Sequence, residues 1–164
     1  MIGIAVCAES LVKILYTEKW IAMVPYLQLW CFCFAFYLWH TANLQVIQAL
    51  GRSDIALKIE IVKQLITFAG IVLAASYGVL AMLGTSCVVT VISLYINAKP
   101  NKRLAEYGFA EQLKDVLPIL ILNFFMGVAV YLLGLISMPD IWRLTIQILA
   151  GILIYFGGSY VMNL

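Results

Sequence analysis

A short polar hairpin, Gln48-Ala49-Leu50-Gly51-Arg52-Ser53-Asp54, separates two apolar stretches that are each long enough to cross a lipid bilayer. The alternation recurs: residues 1–16, 21–50, 55–77, 79–96, 115–136 and 141–162 are apolar, and most connections between them are short. A helix rises 1.5 Å per residue, so about 20 residues cross a hydrocarbon core of about 30 Å. Composition agrees, with 65% of the 164 residues hydrophobic and 11% charged, against roughly 25% charged in soluble domains. The mean hydropathy is +1.04. The expected fold is all-α: a polytopic membrane helix bundle of about six transmembrane helices, forming a single membrane domain over residues 1–164.

The connections carry their own chemistry. Gly51 suits the left-handed conformation that ends a helix, and Ser53 or Asp54 offers a side-chain oxygen to cap the next one. Pro25 lies in the opening turns of the second segment, where a missing N–H costs little. Gly70, Ala74 and Gly78 recur every four residues on one face of the third segment, a pattern that lets transmembrane helices approach closely. Tyr77-Gly78 predicts a tight turn. Asn97 to Arg103 reads as the longest polar connection, and residues 104–114 as an amphipathic helix along the interface.

Orientation follows the lysine and arginine distribution. Arg52, Lys58, Lys63, Lys99, Lys102, Arg103 and Lys114 fall on one side of the six-segment path, and Lys13, Lys19 and Arg143 on the other. The richer side is expected to be cytoplasmic, with both termini of this chain on it. Residues 1–16 lack the basic region and cleavage site of a signal peptide. They are short for a span and carry Glu9 and Lys13, so this chain is expected to be the C-terminal part of something longer.

Several chemistries find no motif. The sequence has no phosphate-binding glycine-rich loop ending in Lys-Ser or Lys-Thr, no C-x-x-C, no H-E-x-x-H and a single histidine. No metal site and no catalytic residue is expected, and membrane transport is favoured over enzymatic function. Cys31 and Cys33, two apart, point to nearly opposite helix faces, while Cys7 and Cys87 stand alone; all four read as small buried hydrophobes.

The polar residues at membrane depth are the candidates for substrate contact. Glu9 and Lys13 are one helical turn apart and can form an ion pair facing a wet cavity, or can mark a helix end with Lys13 reaching the interface. His40 and Asn43 can bind a ligand or relay protons, or can lock the second segment to a neighbour by interhelical hydrogen bonds. Arg52 adds a cation at the hairpin. Arg143, three residues after Asp140, reads as half of a surface pair. Tyr26, Trp30, Phe32, Phe34, Phe36, Tyr37 and Trp39 form either a stacking wall for sugar rings or a lipid-facing surface.

Several stretches resemble the late transmembrane region of bacterial polysaccharide flippases, within the multidrug/oligosaccharidyl-lipid/polysaccharide exporter superfamily. They are Ala8-Glu9-Ser10-Leu11-Val12-Lys13-Ile14-Leu15, Glu18-Lys19-Trp20, Val24-Pro25-Tyr26-Leu27-Gln28, Ala49-Leu50-Gly51-Arg52-Ser53-Asp54 with Leu57-Lys58 and Glu60, Tyr95-Ile96-Asn97-Ala98, and Gln112-Leu113-Lys114-Asp115 with Pro118. The resemblance implies the C-terminal part of a two-lobe exporter, ending in two extra helices, in a bacterial inner membrane. It implies flipping of undecaprenyl-diphosphate-linked oligosaccharide by alternating access, for lipopolysaccharide or other surface polysaccharide. The implied partners are that lipid-linked oligosaccharide, membrane lipids and the polysaccharide polymerase machinery, with no nucleic acid. No cofactor is expected apart from a coupling ion, H+ or Na+. The alternatives are a cation-coupled multidrug exporter of the same superfamily, a membrane-embedded enzyme on polyprenyl-linked glycans, and a structural subunit.

Overall fold

A backbone inside a bilayer has no water to bond, so a spanning chain closes its hydrogen bonds within helices. The computed structural model describes residues 1–136 and 138–162, and every regular element among them is helical. The α-helices are α1 (Ile2–Val6), α2 (Ala8–Tyr16), α3 (Val24–Ala35), α4 (Tyr37–Ala49), α5 (Ser53–Ala74), α6 (Val79–Leu104), α7 (Phe109–Gly134) and α8 (Asp140–Val161). Short 3₁₀ helices at Glu18–Met23 and Ala75–Tyr77 lead into α3 and out of α5.

Five helical runs are long and apolar enough to cross a membrane: Glu18–Ala49, Ser53–Tyr77, Val79–Leu104, Phe109–Gly134 and Asp140–Val161. This is a multi-pass membrane protein with an all-α fold. The expected first segment is helical too, but it is broken at Cys7 into pieces of 5 and 9 residues, neither of span length. In the long second segment, Phe36 separates α3 from α4.

The hairpin at Gly51 closes by a specific geometry. Gly51 takes φ of +72°, the Arg52 N–H donates to the Ile47 carbonyl at 3.1 Å, and the Gly51 N–H donates to Gln48 at 2.9 Å. These paired bonds satisfy carbonyls that the end of α4 would otherwise leave orphaned. The expected cap differs. Ser53 is already the first residue of α5, and Arg52 holds the cap position without a side-chain capping bond. Asp54 instead sits in the first turn and pairs with Arg52. Gly78, at φ of +93°, makes the tight turn into α6.

A larger departure follows α6. The stretch read as a polar connection, Asn97 to Arg103, is the last two turns of α6, and Pro100 lies inside the helix. Neighbouring side chains and backbone adjustments let a membrane helix absorb a proline that would end a soluble one. The expected interfacial helix over 104–114 does not form. Residues 105–108 break the chain, with Glu106 at φ of +54°. Glu111 and Lys114 then belong to the opening turns of α7.

The chain divides into two compact units, Met1–Cys31 with Val116–Leu164, and Phe32–Asp115. In the first, Cys7, Met126 and Val130 form a buried cluster against which Ile2, Val6, Leu144 and Ile154 pack. In the second, Ile47, Ala56 and Ile59 are buried with Leu44, Ile55, Ile96 and Leu104 around them. Gly70 lies against α6 as the small-residue pattern predicts: a Cβ there would meet Thr85 Cγ2 at 2.5 Å.

The second unit also joins two cysteines far apart in sequence. Cys33 Sγ on α3 lies 3.2 Å from Cys87 Sγ on α6, so Cys87 does not stand alone as its surroundings in the sequence suggest. A membrane-permeable copper–phenanthroline catalyst, passing the electrons to oxygen, should join them into a disulfide. The check is the linked peptide pair in a mass spectrum after digestion. Absence of that pair, with other thiols oxidised normally, would contradict this packing of α3 on α6.

Candidate functional site

Polar groups collect at three places. In the first unit, α2 presents Glu9 and Lys13 one turn apart on one face, and their side chains form an ion pair of 2.8 Å. On α8, Asp140 and Arg143 form a second pair at 3.5 Å. The two pairs lie within electrostatic reach of each other, Arg143 acting on Glu9 and both Asp140 and Arg143 on Lys13. Sequence reasoning read Arg143 as half of an isolated surface pair and missed this cluster. The Arg143 side chain is only 22% exposed. It donates through Nη2 to the Met138 carbonyl at 3.3 Å, and its buried Nε has no hydrogen-bond partner among the described residues.

The first unit also holds an apolar cavity of about 480 Å³, lined in part by Cys7, Leu11, Met126 and Val130 and by the amides Asn123 and Gln147. Gln147 is buried and donates to the Val130 carbonyl at 3.1 Å. Its Oε1 has no partner among the described residues. Gly134 makes room for it, since a Cβ there would meet Gln147 Nε2 at 2.6 Å.

In the second unit the sequence candidates His40 and Asn43 meet α6 and the start of α7. Asn97 Nδ2 lies 3.0 Å from His40 Nδ1. With the amide nitrogen donating, this contact calls for the tautomer that carries its proton on Nε2. One turn further along, Asn43 and Gln112 pair amide to amide. Asn43 Nδ2 donates to Gln112 Oε1 at 2.8 Å, and Gln112 Nε2 returns a bond to Asn43 Oδ1 at 2.7 Å.

This pair anchors a larger network. Trp39 Nε1 donates to the same Gln112 oxygen at 2.6 Å. Gln112 Nε2 also donates to the Tyr107 carbonyl at 3.1 Å, and Asn43 Nδ2 to the Trp39 carbonyl at 3.0 Å. Asn101 Nδ2 donates to Asn43, both to its backbone carbonyl and to its side-chain oxygen. Both amides of the central pair thereby fill their four hydrogen-bonding positions. Phe109 stacks on Trp39 at 5.8 Å between ring centres and meets Tyr95 edge-on at 6.3 Å. Trp30, Phe32, Phe34 and Tyr37 are exposed. Nearby, the Tyr107 hydroxyl donates to Asp115, and holding that proton for the carboxylate keeps the phenol above its ordinary pKa.

Arg52, the remaining sequence candidate, is 50% exposed and holds Asp54 through two nitrogens, Nε at 3.1 Å and Nη2 at 3.4 Å. It lines a separate cavity with Lys99 and Arg103 of α6. Sequence reasoning placed these three cations at the same membrane face, and within this unit they do share one end. Of the five candidates, Glu9 and Lys13 belong to the first unit, and His40, Asn43 and Arg52 to the second. No family model, curated protein or solved structure matches the chain.

Proposed function

We propose that this chain is the C-terminal part of a flippase that turns undecaprenyl-diphosphate-linked oligosaccharide from the inner to the outer leaflet of a bacterial cytoplasmic membrane. In this reading the Arg52 hairpin faces the cytoplasm, and the coupling ion is H+ or Na+. The reaction is transport by alternating access, with no covalent step. The sequence resemblance supports the reading, and the observation that carries it is the group formed by Glu9, Lys13, Asp140 and Arg143. A diphosphate leaving water for a low-dielectric path is penalised by several kcal/mol or more unless cations accompany it. Lys13, held by Glu9 in the empty state, exchanges that partner for the diphosphate when substrate arrives.

The test compares Lys13→Gln with Lys102→Gln in the longer protein that contains this chain, at matched expression. Lys102 is exposed at the end of α6. Losing a cation worth even 1–2 kcal/mol in the barrier slows transport about tenfold. Lys13→Gln should therefore accumulate lipid-linked oligosaccharide on the inner leaflet, and Lys102→Gln should not. Normal transport by Lys13→Gln would reduce Lys13 to an interface anchor and remove the main support for the reading.

A further inference from the structure

The cavity at the hairpin end of the second unit has a composition that the network beside it lacks. It measures about 380 Å³ and is lined by Arg52, Ile55, Lys99, Pro100, Arg103 and Leu104. Three of these six residues are cations and none is a carboxylate. Lys99 and Arg103 are one turn apart on α6, so both project to the same side, and neither makes a salt bridge among the described residues. Arg52 is oriented by its two-point hold on Asp54, and among the described residues its Nη1 has no hydrogen-bond partner. Ile55 and Leu104 belong to the apolar cluster around Ile47, so the floor of the cavity is continuous with the hydrophobic interior of the unit.

Two simpler accounts fall short. Basic residues in the last turn offset the negative end of a helix, which accounts for Lys102 and Arg103 but not for Lys99, a turn earlier, or for Arg52 on another element. A general excess of positive charge on one membrane face spreads cations over the surface; it does not gather three round one concavity. The first turn of α5, a helix of 22 residues, forms the Arg52–Ile55 wall and adds its positive end to the same space.

We propose that this cavity binds a phosphate ester, with Arg52, Lys99 and Arg103 on the phosphate oxygens and the Ile55–Leu104 floor under the ester's apolar side. Arginine forks match phosphate oxygens in pairs, and a lysine adds a point charge. The ligand is either the headgroup of an anionic phospholipid or a phosphate from solution. The site needs no transport to be occupied, so it stands or falls separately from the flippase reading.

The experiment uses the full-length protein that contains this chain, purified in dodecyl maltoside, with two double variants of equal charge loss. Lys99→Gln/Arg103→Gln removes cavity cations. Lys58→Gln/Lys102→Gln removes cations of the same unit that do not line it. Native mass spectrometry measures retention of phosphatidylglycerol against phosphatidylcholine, and equilibrium dialysis measures inorganic phosphate. The cavity variant should lose at least about tenfold in affinity for phosphatidylglycerol, or for inorganic phosphate, while the control stays within about threefold. Loss confined to phosphatidylglycerol identifies a lipid headgroup, and loss confined to inorganic phosphate a soluble ligand. Equal losses in both variants, or no phosphate-dependent binding to the unaltered chain, would overturn the site.

Discussion

Replacing Asn43 by leucine should destabilise the chain by about 2–3 kcal/mol in an unfolding titration in mixed micelles. Its side chain takes part in four hydrogen bonds, to the Trp39 carbonyl, to Asn101 and twice to Gln112. Side-chain hydrogen bonds between membrane helices average only about 0.6 kcal/mol each, because the unfolded reference also finds partners. Three of the four join different helices and give the lower figure, while the bond to the Trp39 carbonyl stays within α4. The upper one includes the buried groups left short of a partner, one position on each of the Gln112 polar atoms and a donor on Asn101. Asn123→Leu is the comparison, because among the described residues the Asn123 amide bonds only the Ile119 carbonyl of its own helix. That change should cost less than about 1 kcal/mol. Equal costs for the two would mean that the Asn43–Gln112 pair does not hold α4, α6 and α7 together.

The other large effect lies on the α5–α6 face. Leucine at both Gly70 and Ala74 should cost about 2–6 kcal/mol, since overpacking costs about 1–3 kcal/mol per site. Thr85 cannot simply turn away from a new side chain at Gly70, because its hydroxyl is bonded to the Ala81 carbonyl at 2.9 Å. Ala74 is buried at 8% exposure. Gly84 supplies the control: an added Cβ there meets nothing within 4 Å, and replacing a mid-helix glycine by alanine restores up to about 1 kcal/mol of helix propensity. Gly84→Ala should therefore raise the melting temperature in detergent while Gly70→Leu/Ala74→Leu lowers it. An unchanged temperature for the double variant would turn that face of α5 towards lipid.

The helices and their close approach were legible because both signals are local. A run of apolar residues is visible in one window, and Gly70 and Ala74 reveal a packed face by their spacing alone. The end of α6 was misread because proline and a cluster of polar residues stop a helix in water, whereas here Asn97 and Asn101 are buried and Pro100 is absorbed. The candidate sites were legible only in part. His40 and Asn43 stood out as polar residues in an apolar run, but nothing near them in sequence names Asn97 or Gln112 as partners. Cys33 and Cys87 were opaque for the same reason. Arg143 was visible as a neighbour of Asp140, yet its place beside Glu9 and Lys13 depends on α2 meeting α8.

The distance in sequence between Asn43 and its partners also sets a schedule for synthesis. Asn101 follows it by 58 residues and Gln112 by 69. At roughly 5–20 residues per second, the ribosome delivers Gln112 about 3–14 s after Asn43. Over that interval α4 carries an amide whose Gln112 partner does not yet exist, and three residues separate α4 from the following α5. α4 reaches its final hydrogen-bonded state only when the first turn of α7 arrives. The insertion machinery, or water at the membrane surface, has to satisfy that amide in the meantime.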